Sequence, residues 1–106
     1  RNLAPRPMEL LLAGAGGCTA FDVVAILEKG RQPVTGCTVT LSAERAEKDP
    51  KVFTRIRFHY LVKGRNLDPN KVKRAVELSA EKYCSASIML GKTAQIEHTW
   101  EIIDET

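Results

Sequence analysis

The alternation of apolar and polar positions divides the chain into a helix, a hairpin, a second helix and a closing strand. From Pro7 to Gly30 the pattern predicts one long helix, with Pro7 at a first helical position, Glu9 near the positive N-terminal end and Gly30 as the stop. Leu10 to Phe21 is nearly all apolar or small, a run too short and too glycine-rich to span a bilayer, which predicts a helix buried on most sides. Gly14-Ala15-Gly16-Gly17 at its centre would weaken an exposed helix by about 1 kcal/mol per glycine, so a close backbone crossing is expected there, with the same helix of a second chain as one candidate. The glycines do not form a dinucleotide loop, because Thr19 stands where that pattern needs glycine and no strand precedes them.

Cys37, Val39, Leu41 and Ala43 then share one face of a strand, and Thr38, Thr40, Ser42 and Glu44 share the other. After a turn at Lys48-Asp49-Pro50-Lys51, Ile56, Phe58, Tyr60 and Val62 alternate with Arg55, Arg57 and His59, which predicts an antiparallel hairpin wet on one side. Asp68-Pro69 opens the second helix, with Val72, Ala75, Val76, Ser79, Ala80 and Tyr83 on one face. Cys84 to Leu90 reads as a short helical segment after a bend. Ile96, His98, Trp100 and Ile102 mark a third strand. The expected fold class is α+β, one domain over residues 1–106, with an antiparallel sheet packed on a long central helix.

Composition narrows the function. The net charge of +3 is spread rather than clustered, which argues against nucleic acid. No secretory signal pattern or membrane span is evident, and the first residue is Arg1 rather than methionine, so a further segment is expected upstream. The three cysteines, 18, 37 and 84, make neither a CxxC nor a metal knuckle and are odd in number, which fits free thiols in a reducing cytoplasm. Cys37, on an apolar strand face, reads as a small hydrophobe. Spacing alone leaves Cys18 and Cys84 open between core packing and chemistry. His59 reads as solvated and His98 as a core or interface histidine. Asp22, four residues beyond Cys18, is near enough to disfavour a thiolate there, and could equally pair with a lysine.

Two blocks change the balance. Pro7-Met8-Glu9-Leu10-Leu11-Leu12-Ala13 followed by Gly16-Gly17-Cys18-Thr19, and Ser79-Ala80-Glu81-Lys82-Tyr83-Cys84-Ser85 with Leu90 and Ala94-Gln95-Ile96, resemble the two cysteine motifs of the OsmC/Ohr superfamily, and its YhfA-like branch in particular. The resemblance implies an intertwined homodimer with active sites at the subunit interface. It implies a thiol-dependent peroxidase for organic hydroperoxides in oxidative-stress defence, reduced by an external dithiol and needing no metal or organic cofactor. Cys18 matches the peroxidatic position, Cys84 the resolving one and Glu9 the acidic helper. The sequence departs from that pattern at two points. The family's activating arginine belongs to an N-terminal strand, and neither Arg1 nor Arg6 takes its place; Ser85 stands where proline usually follows the resolving cysteine. A second reading therefore keeps the fold as a non-catalytic dimer binding an apolar small molecule, and a third makes it a redox sensor. Independently of the resemblance, Glu9 and Cys18 are nine residues apart and project to opposite sides of a straight helix, so a site using both needs a kink or a second subunit.

Overall fold

The structure, a computed structural model, describes residues 7–106. Arg1 and Arg6 lie outside the described residues. Helix α1 runs over Pro7–Lys29, strands β1 and β2 over Val34–Arg45 and Phe53–Gly64, helix α2 over Pro69–Leu78, helix α3 over Ser85–Leu90 and strand β3 over Gln95–Asp104. A single π-helical turn, Ser79–Tyr83, joins α2 to α3.

The sheet is built on the period-2 pattern of its strands. β1 and β2 pair antiparallel with Val39 opposite Tyr60 and Leu41 opposite Phe58. Across the other edge of β2, Phe58 faces His98 and Tyr60 faces Trp100. Three rows therefore cross one side of the sheet: Leu41–Phe58–His98, Val39–Tyr60–Trp100 and Cys37–Val62–Ile102. Phe58, Tyr60 and Val62, at their centre, and Ile56, one row further along β2, are fully buried. The opposite side is wet, with Arg57 to Glu97 at 3.3 Å and His59 to Glu101 at 3.0 Å. His59 also bonds Thr99, so it is tied into exposed cross-strand pairs of small energetic weight.

The expectation of a wholly antiparallel sheet is corrected by β3, which pairs parallel to β2. The reason is the connection. Antiparallel neighbours can be joined by a tight turn, whereas a parallel return needs a crossover, and α2, the π turn and α3 supply it. The sheet is mixed.

Helix α2 forms as its sequence predicts: Asp68 caps it by accepting from the Asn70 N–H at 2.9 Å, and Pro69 opens the first turn. Val72, Ala75 and Val76 enter the core. Helix α1 stops one residue later in its geometry than Gly30 would suggest. The left-handed residue is Arg31 (φ 59°), and the Gln32 N–H reaches the Leu27 carbonyl at 2.9 Å while that of Arg31 reaches Glu28 at 3.0 Å, a Schellman closure.

One further expectation for α1, burial on most sides, is corrected within the chain. Only Ala15, Gly16, Thr19, Val23 and Leu27 are buried, a single stripe, because one chain offers one sheet and one helix pair to cover it. Leu10, Leu11 and Phe21 are exposed, Phe21 to 75%. Within the chain the close approach at the glycines is to β1, where a Cβ on Gly16 would stand 2.7 Å from Leu41 Cδ1, while Gly14 and Gly17 face open space. By length and composition α1 could cross a membrane. Its inner stripe is nevertheless packed on the sheet, with Thr19 bonded to Tyr60 across the core.

Candidate functional site

The fold gathers two cysteines that are 66 residues apart in sequence. Cys18 is half-buried at the middle of α1, and Cys84 is fully buried between the π turn and α3. The two sulfurs and a carboxylate oxygen of Asp22 all lie within 4.8 Å of one another. Asp22 is on the same face as Cys18 because i and i+4 are neighbours on a helix.

The π turn is what presents Cys84. Its backbone N–H bonds the Ser79 carbonyl at 2.8 Å, five residues back, and the chain then leaves helical geometry (φ −82°, ψ 93°). Such one-turn π insertions are frequent at functional sites. Cys84 becomes the N-cap of α3, its sulfur accepting from the Ser87 N–H at 3.5 Å. The same thiol points its S–H at the Ala15 carbonyl, 3.8 Å away on α1. The neighbouring amide, that of Ala86, donates to Cys18. The first turn of α3 therefore divides its free N–H groups between the two sulfurs.

Electrostatically the site favours the protonated form of the Cys18 thiol. Desolvation, then the hydrogen bond and charge of Cys84, then Asp22, push the Cys18 thiol up to about 11, with the Ala86 N–H acting in the opposite sense. No lysine or arginine among the described residues contributes to that balance. Burial alone pushes Cys37 up to about 11, and it stands apart on β1, as its reading as a small hydrophobe anticipates. Viewed as a metal set, Cys18, Asp22 and Cys84 offer three donors among the described residues, one short of a closed tetrahedral zinc site.

Glu9 is elsewhere. It is exposed on the first turn of α1, about 13 Å along the axis from Cys18, and lines a hollow with Met8, Leu12, Arg45 and Phe53. The structure brings Cys18 and Cys84 together, and does not bring Glu9 to them within one subunit.

Behind the thiols runs a polar chain that sequence reasoning missed. Ser79 donates to Asp22 Oδ2 at 3.2 Å, Ser79 meets Thr19 Oγ1 at 2.7 Å, Thr19 meets Tyr60 OH at 2.9 Å, and Tyr60 OH meets His98 Nδ1 at 2.9 Å. Thr19, Ser79 and Tyr60 are fully buried. Asp22 is thus held by a serine rather than a lysine. Hydroxyls at Thr19 and Ser79, on the core faces of two predicted helices, were the available signal, since buried polar groups must find partners. His98 stacks on Phe58 at 4.9 Å between ring centres, and burial lowers its pKa.

The chain matches the family of OsmC-like proteins over residues 1–99. It belongs to the OsmC-like family. Protein YhfA of Escherichia coli K12 is 54% identical over 100 residues, covering 94% of this chain and 75% of its own length. A crystal structure of a protein from Aquifex aeolicus VF5 superposes with a TM-score of 0.93 at 35% identity, covering 99% of this chain and 79% of the other. An organic hydroperoxide resistance protein OsmC from Legionella pneumophila superposes with a TM-score of 0.76 at 17% identity, over 95% and 72% of the two chains, a likeness of fold. The OsmC-like fold is therefore the frame in which the thiol pair sits.

Proposed function

We propose that this OsmC-like protein is a cysteine-based peroxidase that reduces hydroperoxides, organic ones preferentially, in the cytoplasm as part of oxidative-stress defence. The observation that carries the proposal is the approach of the Cys18 and Cys84 sulfurs to within 4.8 Å. A disulfide needs about 2.05 Å, so rotation of the half-buried Cys18 side chain with a small shift of α3 would close the gap. The Cys18 thiolate attacks the peroxide O–O bond, which breaks as an S–O bond forms; the alkoxide leaves as alcohol after taking a proton. The Cys84 sulfur then displaces hydroxide from the Cys18 sulfenic acid, and the disulfide and water result. An external dithiol supplies the two electrons that restore both thiols.

The working unit is a homodimer in this proposal. The outer face of α1, with Leu10, Leu11 and Phe21 exposed, is an apolar surface of the kind a second copy covers. Glu9 then acts as the acidic helper across the subunit interface, since it stands far from Cys18 along its own helix. A mixed dimer of Glu9→Gln and Cys18→Ser subunits tests the sharing: recovery of part of the lost activity supports it, and none counts against it.

The raised Cys18 pKa favours a second reading, a non-catalytic OsmC-like protein that binds a small molecule or senses redox state. One equivalent of cumene hydroperoxide separates the two. The peroxidase loses the free thiols of Cys18 and Cys84 together and yields a Cys18–Cys84 disulfide by peptide mass spectrometry. Slow oxidation with no preference between Cys18 and Cys37 would leave only the second reading.

A further inference from the structure

The polar chain behind the thiols has a direction, and the direction can be worked out from its ends. Each hydroxyl has one hydrogen to give. In one arrangement Asp22 is ionised and can only accept, so Ser79 must donate to it. Ser79 Oγ must then accept from Thr19, Thr19 from Tyr60, and Tyr60 from His98. With Asp22 ionised, any other assignment leaves one contact of the chain, Thr19–Ser79 at 2.7 Å, Thr19–Tyr60 at 2.9 Å or Tyr60–His98 at 2.9 Å, with no hydrogen between its two atoms. In the arrangement with Asp22 ionised, neutral His98 carries its hydrogen on Nδ1 and is bare on Nε2.

Among the described residues Nε2 has no hydrogen-bond partner and no buried side-chain nitrogen or oxygen lacks one, so this atom is open to solvent. His98 lines a hollow of about 300 Å³ between α3 and β3 with Ser87, Lys92 and Ile96. The reversed assignment is equally complete. A protonated Asp22 donates to Ser79, the hydroxyls all turn over, and Tyr60 donates to Nδ1. The two arrangements differ by one proton at each end.

We propose that His98, Tyr60, Thr19, Ser79 and Asp22 form a proton relay that takes a proton from the hollow at His98 Nε2 and delivers it at the Asp22 carboxyl beside the two sulfurs. This rests on the peroxidase reading for its purpose. When the Cys18 thiolate is oxidised to the sulfenic acid, the O–O bond is reduced and an alkoxide leaves; the Asp22 carboxyl gives that oxygen its proton. Starting from the arrangement with Nδ1–H on His98, Asp22 first receives that proton through the hydroxyls from His98, and His98 takes its replacement at Nε2 from water. Asp22 is the terminal donor, and the other four are positioning residues. The charged and titratable groups around its ends are Cys18 and Cys84 at Asp22, with Lys29 and Tyr83 lining the adjoining hollow, and Lys92 at the His98 end. Buried, fully satisfied networks of this kind hold their members in fixed orientation.

Two measurements test it on the reduced full chain. In 15N-histidine NMR at pH 7.5, wild-type His98 shows the Nδ1–H tautomer, and Ser79→Ala shifts it to Nε2–H, because Thr19 is then free to turn its hydrogen toward Tyr60; His59 stays unchanged as the internal reference for folding. An Nε2–H tautomer in the wild type, or one indifferent to Ser79→Ala, overturns the relay. In stopped-flow oxidation by cumene hydroperoxide, Ser79→Ala and His98→Gln slow Cys18 oxidation at least tenfold and remove its rate difference between H2O and D2O. Alkylation of Cys18 by monobromobimane, which needs no delivered proton, stays within twofold. Equal loss in both reactions, or loss in neither, overturns proton delivery. A wild type inert to hydroperoxide refutes the peroxidase reading alone, and the tautomer result then decides the relay.

Discussion

Replacing Asp22 by asparagine removes one charge from beside two sulfurs while leaving an oxygen to accept from Ser79. The carboxylate oxygen and the Cys18 sulfur lie within 4.8 Å of each other, and both residues are half-buried. At that distance, repulsion between a thiolate and a carboxylate is about 0.9 kcal/mol in a water-like dielectric of about 80 and about 1.7 kcal/mol at about 40. Divided by 1.36 kcal/mol per pKa unit, these correspond to a fall of roughly 0.6 to 1.3 in the Cys18 pKa. The small end is the better guide, since desolvation and Cys84 raise this thiol more than Asp22 does. Because the thiol of the wild type titrates near 11, the thiolate at pH 7 is a minute fraction, and its population scales directly with the shift. Asp22→Asn is therefore expected to speed alkylation of Cys18 at pH 7 by about fourfold to twentyfold. The assay is monobromobimane labelling followed by peptide mass spectrometry, with Cys37 as the internal control. An unchanged or slower rate at Cys18, in a variant whose circular dichroism matches the wild type, would refute the electrostatic account.

Other substitutions probe the remaining links. Cys18→Ser should abolish peroxide consumption, whereas Cys84→Ser should permit one turnover and then accumulate Cys18 sulfinic acid, seen as a gain of two oxygens by mass spectrometry. Gly64→Ala should lower Tm by several degrees, since its Cβ would stand 2.6 Å from the Pro33 carbonyl and 2.9 Å from Leu67; about 1–3 kcal/mol is the usual cost of such overpacking, and an unchanged melting curve would disprove it. Phe21→Glu should convert the proposed homodimer to monomer in sedimentation velocity at micromolar concentration, and a sedimentation profile identical to wild type would remove α1 from the proposed interface. For pH, burial lowers the His98 pKa below its unfolded value, so the unfolded chain binds the extra proton first on acidification. His98 should thus reduce stability progressively as pH falls below about 6.5, the ordinary value, and His98→Gln should flatten that part of a urea-midpoint profile.

Much of the architecture was legible because it follows from period and capping. Ile56, Phe58, Tyr60 and Val62 announce a buried strand face, and Asp68-Pro69 announces the start of α2. The direction of β3 was not legible, since the alternation of Ile96, His98, Trp100 and Ile102 is the same read either way; only the helical crossover decides it. The π turn was invisible for a related reason. Ser79-Ala80-Glu81-Lys82-Tyr83 carries no glycine or proline to mark an irregularity, and the apolar spacing of α2 continues into it. Cys18 and Cys84 were picked out by resemblance to two motifs, whereas Thr19, Ser79 and Tyr60 were absorbed into apolar faces. Their hydroxyls find one another only when α1, α2 and β2 are packed together.

The π turn at Ser79 amounts to one surplus residue in an otherwise α-helical path. Excising a single residue there would let ordinary i to i−4 pairing resume, and everything downstream would swing through about 100° and retreat by about 1.5 Å. Cys84 would then leave the company of Cys18, although no atom of either side chain had been altered. The meeting of the thiols thus hangs on backbone phase, and a length change of one in this short stretch would uncouple them as surely as losing a sulfur.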